Sequence, residues 1–214
     1  MNETLEKLKA GVRQFRAEVY PGREELYRRA VIEEQRPHTF FIACADSRVE
    51  PNEIVQAGPG EVFVMRNIGN IVPAYGEMLG GVSAAIEFAV KALKVKHIVI
   101  CGHTDCGAMK AMLRPDSTKE MPTVTSWLTN ARAALSVAET LHTKTEWRRD
   151  MLSVLTEQNV LLQLQHLKTH PSVAGAMATG ELTVSGWIYD IGHGRVSIAD
   201  DGQRTFTPLE TGHS

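Results

Sequence analysis

The sequence predicts an α/β fold: a mainly parallel sheet of about four strands, an added edge strand or hairpin from the C-terminal part, and flanking helices. Three observations support this prediction. Short apolar runs alternate with helical patterns, as in parallel strands joined by crossovers. A length of 214 residues with 43% hydrophobic content suits one domain with a substantial core. The segment ELTVSGWIYDIGHGRVSIADDGQ alternates around Gly-His-Gly, which favours a hairpin at the sheet edge.

Two helices are predicted at the N-terminus, and we expect residues 1–34 to form a helical arm on a single domain whose core spans residues 35–214. ETLEKLKAGVRQF carries one apolar stripe, made of Leu5, Leu8, Val12 and Phe15. GREELYRRAVIEEQ is a shorter helical pattern that ends before Pro37. An apolar stripe of this kind has to be buried. Because the predicted sheet already has other helices to cover it, we expect the stripe on the first helix to pack against another surface.

The core elements follow in order along the chain. HTFFIACA, EVFVMRN and KHIVICG are short, apolar runs typical of buried strands. GGVSAAIEFAVKALK, between the second and third runs, is the clearest helical pattern. Two further helical patterns run from Val124 to about Thr143 and from Trp147 to about His170, the second stopped by Pro171.

Charge and composition narrow the classes of function. With 23 basic and 25 acidic residues the net charge is −2, so no basic surface suggests a nucleic-acid partner. No run approaches the roughly 20 apolar residues of a membrane helix, and the N-terminus lacks a secretion signal. We therefore expect a small-molecule substrate, a second copy of the chain as partner, and no membrane association.

Three cysteines cannot all pair, which favours thiols used as ligands in a reducing compartment, here taken as the cytoplasm.

Two of the predicted strands end in metal-binding residue types. The first ends in CADSR and the third in CGHTDC. Because the carboxyl ends of parallel strands meet at one edge of a sheet, Cys44, His103 and Cys106 should converge if the strands are neighbours. Two thiolates and one imidazole are a zinc ligand set that leaves one tetrahedral position free, as in catalytic sites. Cys101 points to the other side of its strand and is interpreted as a core residue.

Asp46 and Arg48 add groups that a structural zinc site would not need. A carboxylate two residues from a ligand can accept the hydrogen of a zinc-bound hydroxide and so direct its lone pair outward. Arg48 can hold that carboxylate through a bidentate, charge-assisted pair. These two residues favour a catalytic zinc site, with zinc-bound hydroxide as the nucleophile, over a structural one.

CADSR and GHTDCGAM, with GEVFVMRNIGNIVP and SAAIEFAV between them, resemble the β-class carbonic anhydrases, closer to the plant-type branch. The resemblance runs from about Gln35 to Met109, and more loosely to GWIYDIGHG. It implies one Zn²⁺ per chain on the three predicted ligands, an Asp46–Arg48 catalytic dyad, and reversible hydration of carbon dioxide to bicarbonate and a proton by attack of zinc-bound hydroxide. In some members the aspartate itself occupies the fourth zinc position in a resting state, and Asp46 stands where it could do so.

The same resemblance implies a substrate pocket and an oligomer. The pocket residues would be Gln35, Phe63, Ile68, Phe88 and Gly102. Gln35 would donate a hydrogen bond to a substrate oxygen, and Gly102 would let the substrate approach the backbone. Phe88 stands where plant-type members carry tyrosine, so a phenolic hydroxyl is missing. The N-terminal helices would reach across to a neighbouring subunit in a homodimer or higher even oligomer, with the active site at the interface.

Two other functions stay open from the sequence. Relatives with this fold hydrolyse carbonyl sulfide or carbon disulfide, linear molecules that would use the same zinc site. A non-catalytic metal-binding or thiol redox protein would instead have four protein ligands, or a reversible disulfide between Cys44 and Cys106. The Asp46–Arg48 pair disfavours the second alternative, because neither role calls for it.

Overall fold

A six-stranded sheet forms the centre of the computed structural model, which describes residues 2–77, 79–144 and 150–210. The strands are β1 (Thr39–Cys44), β2 (Val62–Asn67), β3 (His97–His103), β4 (Thr183–Asp190), β5 (Arg195–Asp200) and β6 (Thr207–Pro208). Their order is β2-β1-β3-β4-β5-β6, with the first four parallel and the last two pairings antiparallel. The predicted fold class, four parallel strands extended by a C-terminal hairpin, is confirmed.

Helices flank this sheet along the described chain. Their bounds are α1 (Glu3–Gln14), α2 (Glu24–Ile32), α3 (Pro51–Ile54), α4 (Gly81–Glu87), α5 (Gly107–Leu113), α6 (Pro122–Leu128), α7 (Arg132–Lys144), α8 (Met151–Lys168) and α9 (Pro171–Ala178). Short π- or 3₁₀-helical turns cover Phe15–Val19, Pro21–Arg23, Ile68–Asn70, Phe88–Ala92, Pro115–Thr118 and Thr129–Ala131. None of the helices in the described ranges is long and apolar enough to cross a membrane.

The helix predictions need correction at several boundaries. The long helix α8 ends at Lys168, two residues before the predicted end at about His170, and Pro171 begins a separate helix, α9, which was not predicted and in which its missing N–H is not needed. The pattern predicted from Val124 to Thr143 is two helices, interrupted by the 3₁₀ turn at Thr129–Ala131. Helix α5, directly after Cys106, was not predicted. The predicted start at Trp147 lies outside the described residues.

Helix α8 packs closely on the sheet because two strands carry glycine beneath it. A Cβ on Gly102 would lie 2.7 Å from Val160 Cγ2, and one on Gly186 would lie 2.7 Å from Val160 Cγ1. These glycines therefore let Val160 lie against β3 and β4, where it joins the main core with Ile98 and Ile100. The close approach brings the polar side chains of α8 within reach of the loops at the carboxyl ends of the strands.

The N-terminal arm contrasts with this core. Neither α1 nor α2 has a buried residue. The predicted stripe is exposed to between 38% and 65%, with Leu8 the most exposed of its four members. Phe15 packs edge-on against Tyr20 and Tyr27, but Leu5, Leu8 and Val12 stay largely exposed within the described part of the chain.

Candidate metal centre

The three predicted ligands converge at the carboxyl edge of the sheet. Strands β1 and β3 are parallel neighbours, so Cys44 at the end of one lies close to His103 at the end of the other. Cys106 follows in the loop that leads into α5. The sulfur atoms of Cys44 and Cys106 and a ring nitrogen of His103 all lie within 4.8 Å of one another, and all three residues are buried. Zinc bonds of about 2.3 Å to sulfur and about 2.0 Å to nitrogen draw ligands to separations of this order.

His103 presents a free ring nitrogen to this cluster. Its Nδ1 donates a hydrogen bond to the carbonyl oxygen of Thr104 at 2.8 Å, which leaves Nε2 as the unprotonated nitrogen of the neutral ring. Nε2 is buried and has no hydrogen-bond partner. A buried acceptor without a partner is costly unless a ligand completes it. The donor set and this nitrogen fit a zinc ion bound by Cys44, His103 and Cys106.

The pKa values of the two thiols are shifted in opposite directions. A hydrogen bond from Cys106 lowers the pKa of Cys44 to about 4, against the opposing effect of burial. The same hydrogen bond, together with burial, raises the pKa of Cys106. Burial opposes the charged form of His103, but the Cys44 thiolate beside it prevails and raises the histidine pKa. A divalent cation would displace the remaining proton, because metal binding requires deprotonated thiols.

Asp46 and Arg48 form the predicted pair beside the ligands. Arg48 Nε donates to Asp46 Oδ1 at 2.9 Å, and Nη2 donates to Oδ2 at 2.8 Å, which is a bidentate contact. Hydrogen bonding from Arg48 holds the pKa of Asp46 well below its usual range. Oδ2 of Asp46 lies 3.9 Å from His103 Nε2, so the carboxylate faces the ligand cluster. Arg48 thus keeps a charged carboxylate at the edge of the site.

Two charged residues that the sequence analysis missed support this loop. Arg66, on β2, donates through Nε to the carbonyl oxygen of Cys44 at 3.1 Å, and its Nη2 donates to the carbonyl oxygen of Asp46. Asp105 accepts from Arg48 Nη1 at 2.9 Å. The available signal for Arg66 was a single charge near the end of an otherwise apolar strand. Asp105 gave no signal beyond its place between two ligands.

A polar face of α8 holds the loop after β2, and this face was also missed. Asn159 Nδ2 donates to the carbonyl oxygen of Gly69 at 3.0 Å, and Gln163 Oε1 accepts from the backbone N–H of Val72 at 2.9 Å. His170, which follows α8 and caps α9, also donates through Nε2 to the carbonyl oxygen of Pro73 at 3.1 Å. These contacts fix the backbone immediately after Ile68. Asn159 and Gln163 are four residues apart, so they lie on one face of α8, and this spacing was the available signal in the sequence.

The predicted pocket residues separate into two groups within one chain. Ile68 follows directly on Asn67, which pairs with Cys44, and Gly102 precedes His103, so both lie at the metal end. Phe63 instead pairs with Phe40, four residues before Cys44, at a distance of about 13 Å along the strand. Its ring lies 6.1 Å from that of Phe88, which is 48% exposed.

Gln35 belongs to the second group. It is exposed and precedes His38, whose N–H donates to the carbonyl oxygen of Glu61 at the start of β2. Thr39, the first residue of β1, is already about 16 Å from Cys44 by strand geometry. The chain therefore does not bring Gln35, Phe63 and Phe88 to its own metal centre.

The structure gives an explanation for Gly102 and for Cys101. The missing Cβ of Gly102 makes room for Val160 of α8, which accounts for the glycine, and its substrate contact stays a prediction. Cys101 is 1% exposed and lies in the cluster on the opposite face with Phe41 and Val99. Burial raises the pKa of Cys101 to about 12, so its interpretation as an inert core residue is confirmed.

Comparisons with known proteins agree with this geometry. The family model described as carbonic anhydrase matches residues 39–196. A carbonic anhydrase of Pseudomonas aeruginosa is 44% identical over 199 residues, which cover 93% of this chain and 89% of that protein. Carbonic anhydrase 1 of Escherichia coli O157:H7 is 42% identical, with 93% and 90% covered.

Solved structures match over nearly the whole chain. The structure of the β-carbonic anhydrase CcaA superposes with a TM-score of 0.91 at 36% identity, covering 98% of this chain and 94% of that one. A Coccomyxa β-carbonic anhydrase in complex with acetazolamide gives a TM-score of 0.78 at 30% identity, covering 96% and 87%. One of two tetrameric β-carbonic anhydrases from Sordaria macrospora gives 0.79 at 28% identity, covering 94% and 98%.

Proposed function

Because the chain belongs to the β-class carbonic anhydrases, a family of enzymes, we propose that it catalyses the reversible hydration of carbon dioxide to bicarbonate and a proton, with one zinc ion per chain. The observation that carries this proposal is the buried cluster of Cys44, His103 and Cys106, whose ligand atoms lie within 4.8 Å of one another. Membership of the plant-type branch stays a prediction from the sequence.

Each of the three ligands has a defined part in the proposed site. Cys44 and Cys106 would bind as thiolates, and His103 would bind through Nε2, since its Nδ1 is engaged with Thr104. Zinc held there would lower the pKa of a coordinated water to about 7 and so supply a nucleophile near neutral pH. Three protein ligands leave a position for that water, as a catalytic site requires.

Asp46 would orient the nucleophile. Its carboxylate is kept charged by Arg48 and lies beside the ligand cluster, so it can accept a hydrogen bond from the attacking oxygen and direct a lone pair towards carbon. Both carboxylate oxygens are engaged by Arg48, which supports this accepting role over direct ligation. The Arg48–Asp46 pair therefore supports a hydration or hydrolysis reaction over simple metal storage.

We propose that the substrate half of each site comes from a second copy of the chain. Gln35, Phe63 and Phe88 lie at the amino end of β1, more than about 10 Å from the metal end of the same chain. Ile68 and the backbone at Gly102 would contribute from the metal-bearing chain. The uncovered apolar face of α1 and α2 supports an arm that embraces the partner in a homodimer or higher even oligomer.

The proposed setting is the cytoplasm. All three cysteines are free and buried, and the site needs Cys44 and Cys106 as reduced thiols. A reducing compartment keeps them available for zinc.

Zinc content and gas hydration measured on one sample test the proposal. We expect about one zinc per chain and stopped-flow hydration of carbon dioxide that is lost on chelation and restored by zinc. Turnover of carbonyl sulfide or carbon disulfide without carbon dioxide hydration would contradict the proposed substrate. A zinc-free protein with a Cys44–Cys106 disulfide would contradict the proposed chemistry altogether.

A further inference from the structure

Arg48 lies between two aspartates that follow different strands. Its Nε and Nη2 atoms donate to Asp46, which follows β1. Its Nη1 donates to Asp105 Oδ2 at 2.9 Å, and Nη2 also reaches the carbonyl oxygen of Asp105 at 3.3 Å. The guanidinium group is planar and rigid, so contacts on one edge fix the direction of the other. The Asp105 contacts therefore restrict the orientations in which the guanidinium group of Arg48 can meet Asp46.

The backbone at Asp105 is shaped for this contact. Asp105 stands between His103 and Cys106 and has a φ of 61°, in the left-handed region that non-glycine residues seldom adopt. Aspartate tolerates this conformation better than most residues. The turn presents both the carboxylate and the carbonyl oxygen of Asp105 to the same guanidinium group. Lys110, on the first turns of α5, forms an ion pair with the other carboxylate oxygen.

We infer that Asp105 is a positioning residue for the proposed hydration reaction, which acts by holding Arg48 against Asp46. The inference rests on the proposed function for its kinetic consequence. Arg48 is 46% exposed, so without Asp105 its guanidinium group is free to turn towards solvent. Of its contacts with Arg48, Asp46 then keeps only the one from the backbone N–H, which donates to Oδ1 at 3.0 Å. Zinc stays bound, because Asp105 is not among the ligand cluster.

Two substitutions distinguish the role of the Asp105 side chain from that of its left-handed backbone conformation. Asp105→Gly keeps the left-handed conformation without steric penalty but removes the carboxylate. Asp105→Asn keeps tolerance for this conformation and an oxygen that can accept from Arg48 Nη1. Asp201→Gly is the matched control, because it removes an exposed aspartate that pairs with Lys168, outside the ligand cluster.

The experiment measures kcat, KM and zinc content for these variants. It also measures, by NMR, the rate at which the Arg48 Nε–H proton exchanges with water. The resonance of this proton is assigned by its absence from the spectrum of Arg48→Lys. For Asp105→Gly we expect kcat to fall about tenfold with zinc content and KM near those of the wild type. We expect Asp105→Asn to recover to within about threefold of the wild type. The Nε–H proton should exchange at least about tenfold faster in Asp105→Gly and be unaffected in Asp201→Gly.

The exchange measurement keeps this inference separate from the proposed function. If the wild-type protein did not hydrate carbon dioxide, unchanged Nε–H exchange in Asp105→Gly would still refute the positioning role. With an active wild type, an Asp105→Gly kcat within twofold of the wild type would refute it as well. A loss of activity that only parallels a loss of zinc would assign Asp105 to metal retention instead.

Discussion

The two ends of β1 differ in how much one chain can complete. At the carboxyl end, Cys44 meets two further ligands, and Asp46 is held by Arg48 within the same chain. At the amino end, Gln35 is exposed and Phe88 is 48% exposed beside Phe63. The three candidate ligands are buried and Asp46 is hydrogen-bonded to Arg48, whereas Gln35 and Phe88 are exposed. The candidate metal ligands all belong to one chain, whereas the proposed substrate contacts require a second one.

This difference has a simple geometric cause. A six-residue strand separates its ends by about 16 Å, so no single chain can bring both ends of β1 to one small molecule. A symmetric pair of subunits removes the difficulty, because the same two surfaces meet in both directions. The exposed apolar stripe on α1 is what such an association would bury.

The largest expected effect comes from breaking the metal end. His103→Ala removes the ligand whose Nε2 faces the cluster, and we expect zinc content near zero and a loss of carbon dioxide hydration of about a thousandfold or more. Metal analysis and stopped-flow kinetics on one sample measure both. His142→Ala, an exposed histidine on α7, is the control. Full activity without bound metal would refute the role of the cluster.

The second-largest effect is expected for Asp46→Ala, which tests whether Asp46 orients the nucleophile without being needed for metal binding. Asp46→Ala leaves the three ligands intact, so zinc should stay bound while kcat falls about a hundredfold. The carboxylate is kept charged by Arg48 across the neutral pH range, because its pKa lies well below its usual value. A variant with bound zinc and an unchanged hydration rate would show that Asp46 does not orient the nucleophile.

A smaller effect is expected at the amino end, and it tests the shared site directly. Gln35→Ala should lower kcat/KM about tenfold, the scale of one lost hydrogen bond to substrate. Coexpression of Gln35→Ala with His103→Ala, each carrying a different tag, should yield mixed dimers with about half of the wild-type activity, since one of the two sites is then complete.

The mixed dimer distinguishes a shared site from two separate ones. Purified mixed dimers no more active than either parent would mean that Gln35 and His103 serve the same chain or no common site. Sedimentation equilibrium verifies that the sample is dimeric. An active monomer in that measurement would overturn the proposed assembly.

The smallest effect concerns the contacts that hold the loop at the metal end. Burial lowers the pKa of His170, whose Nε2 donates to Pro73. Below about pH 6.5 the unfolded chain therefore takes up a proton at His170 that the folded protein resists, so folding stability falls as the pH decreases. His170→Gln keeps a donor and removes this titration.

Thermal unfolding from pH 8 to pH 5 measures the difference. We expect His170→Gln to lose less stability than the wild type on acidification, and His142→Gln, at an exposed position, to behave like the wild type. Parallel curves for wild type and His170→Gln would show that His170 does not contribute to the acid sensitivity.

Local patterns were sufficient for much of the fold. Apolar runs predicted β1, β2 and β3, and the alternation around Gly-His-Gly predicted the hairpin of β4 and β5. Helix boundaries were less accurate. Pro171 was taken as a stop because proline breaks helix interiors, but the same residue is favoured at a first turn, and local sequence does not distinguish these positions.

Residue types alone were enough to predict three metal ligands and the Asp46–Arg48 pair, because Cys44, Asp46 and Arg48 lie within one short loop, and His103 and Cys106 within another. Parallel pairing predicted that the two loops meet if β1 and β3 are neighbours, and the structure shows that they are. The folded chain identified the side chains that support these loops: Arg66 from β2, Asp105 through a left-handed turn, and Asn159 from α8. It also decided that Gln35, Phe63 and Phe88 lie at the far end of the sheet. Such contacts depend on strand register, helix position and the length of a strand in space, which residue types along the chain do not specify.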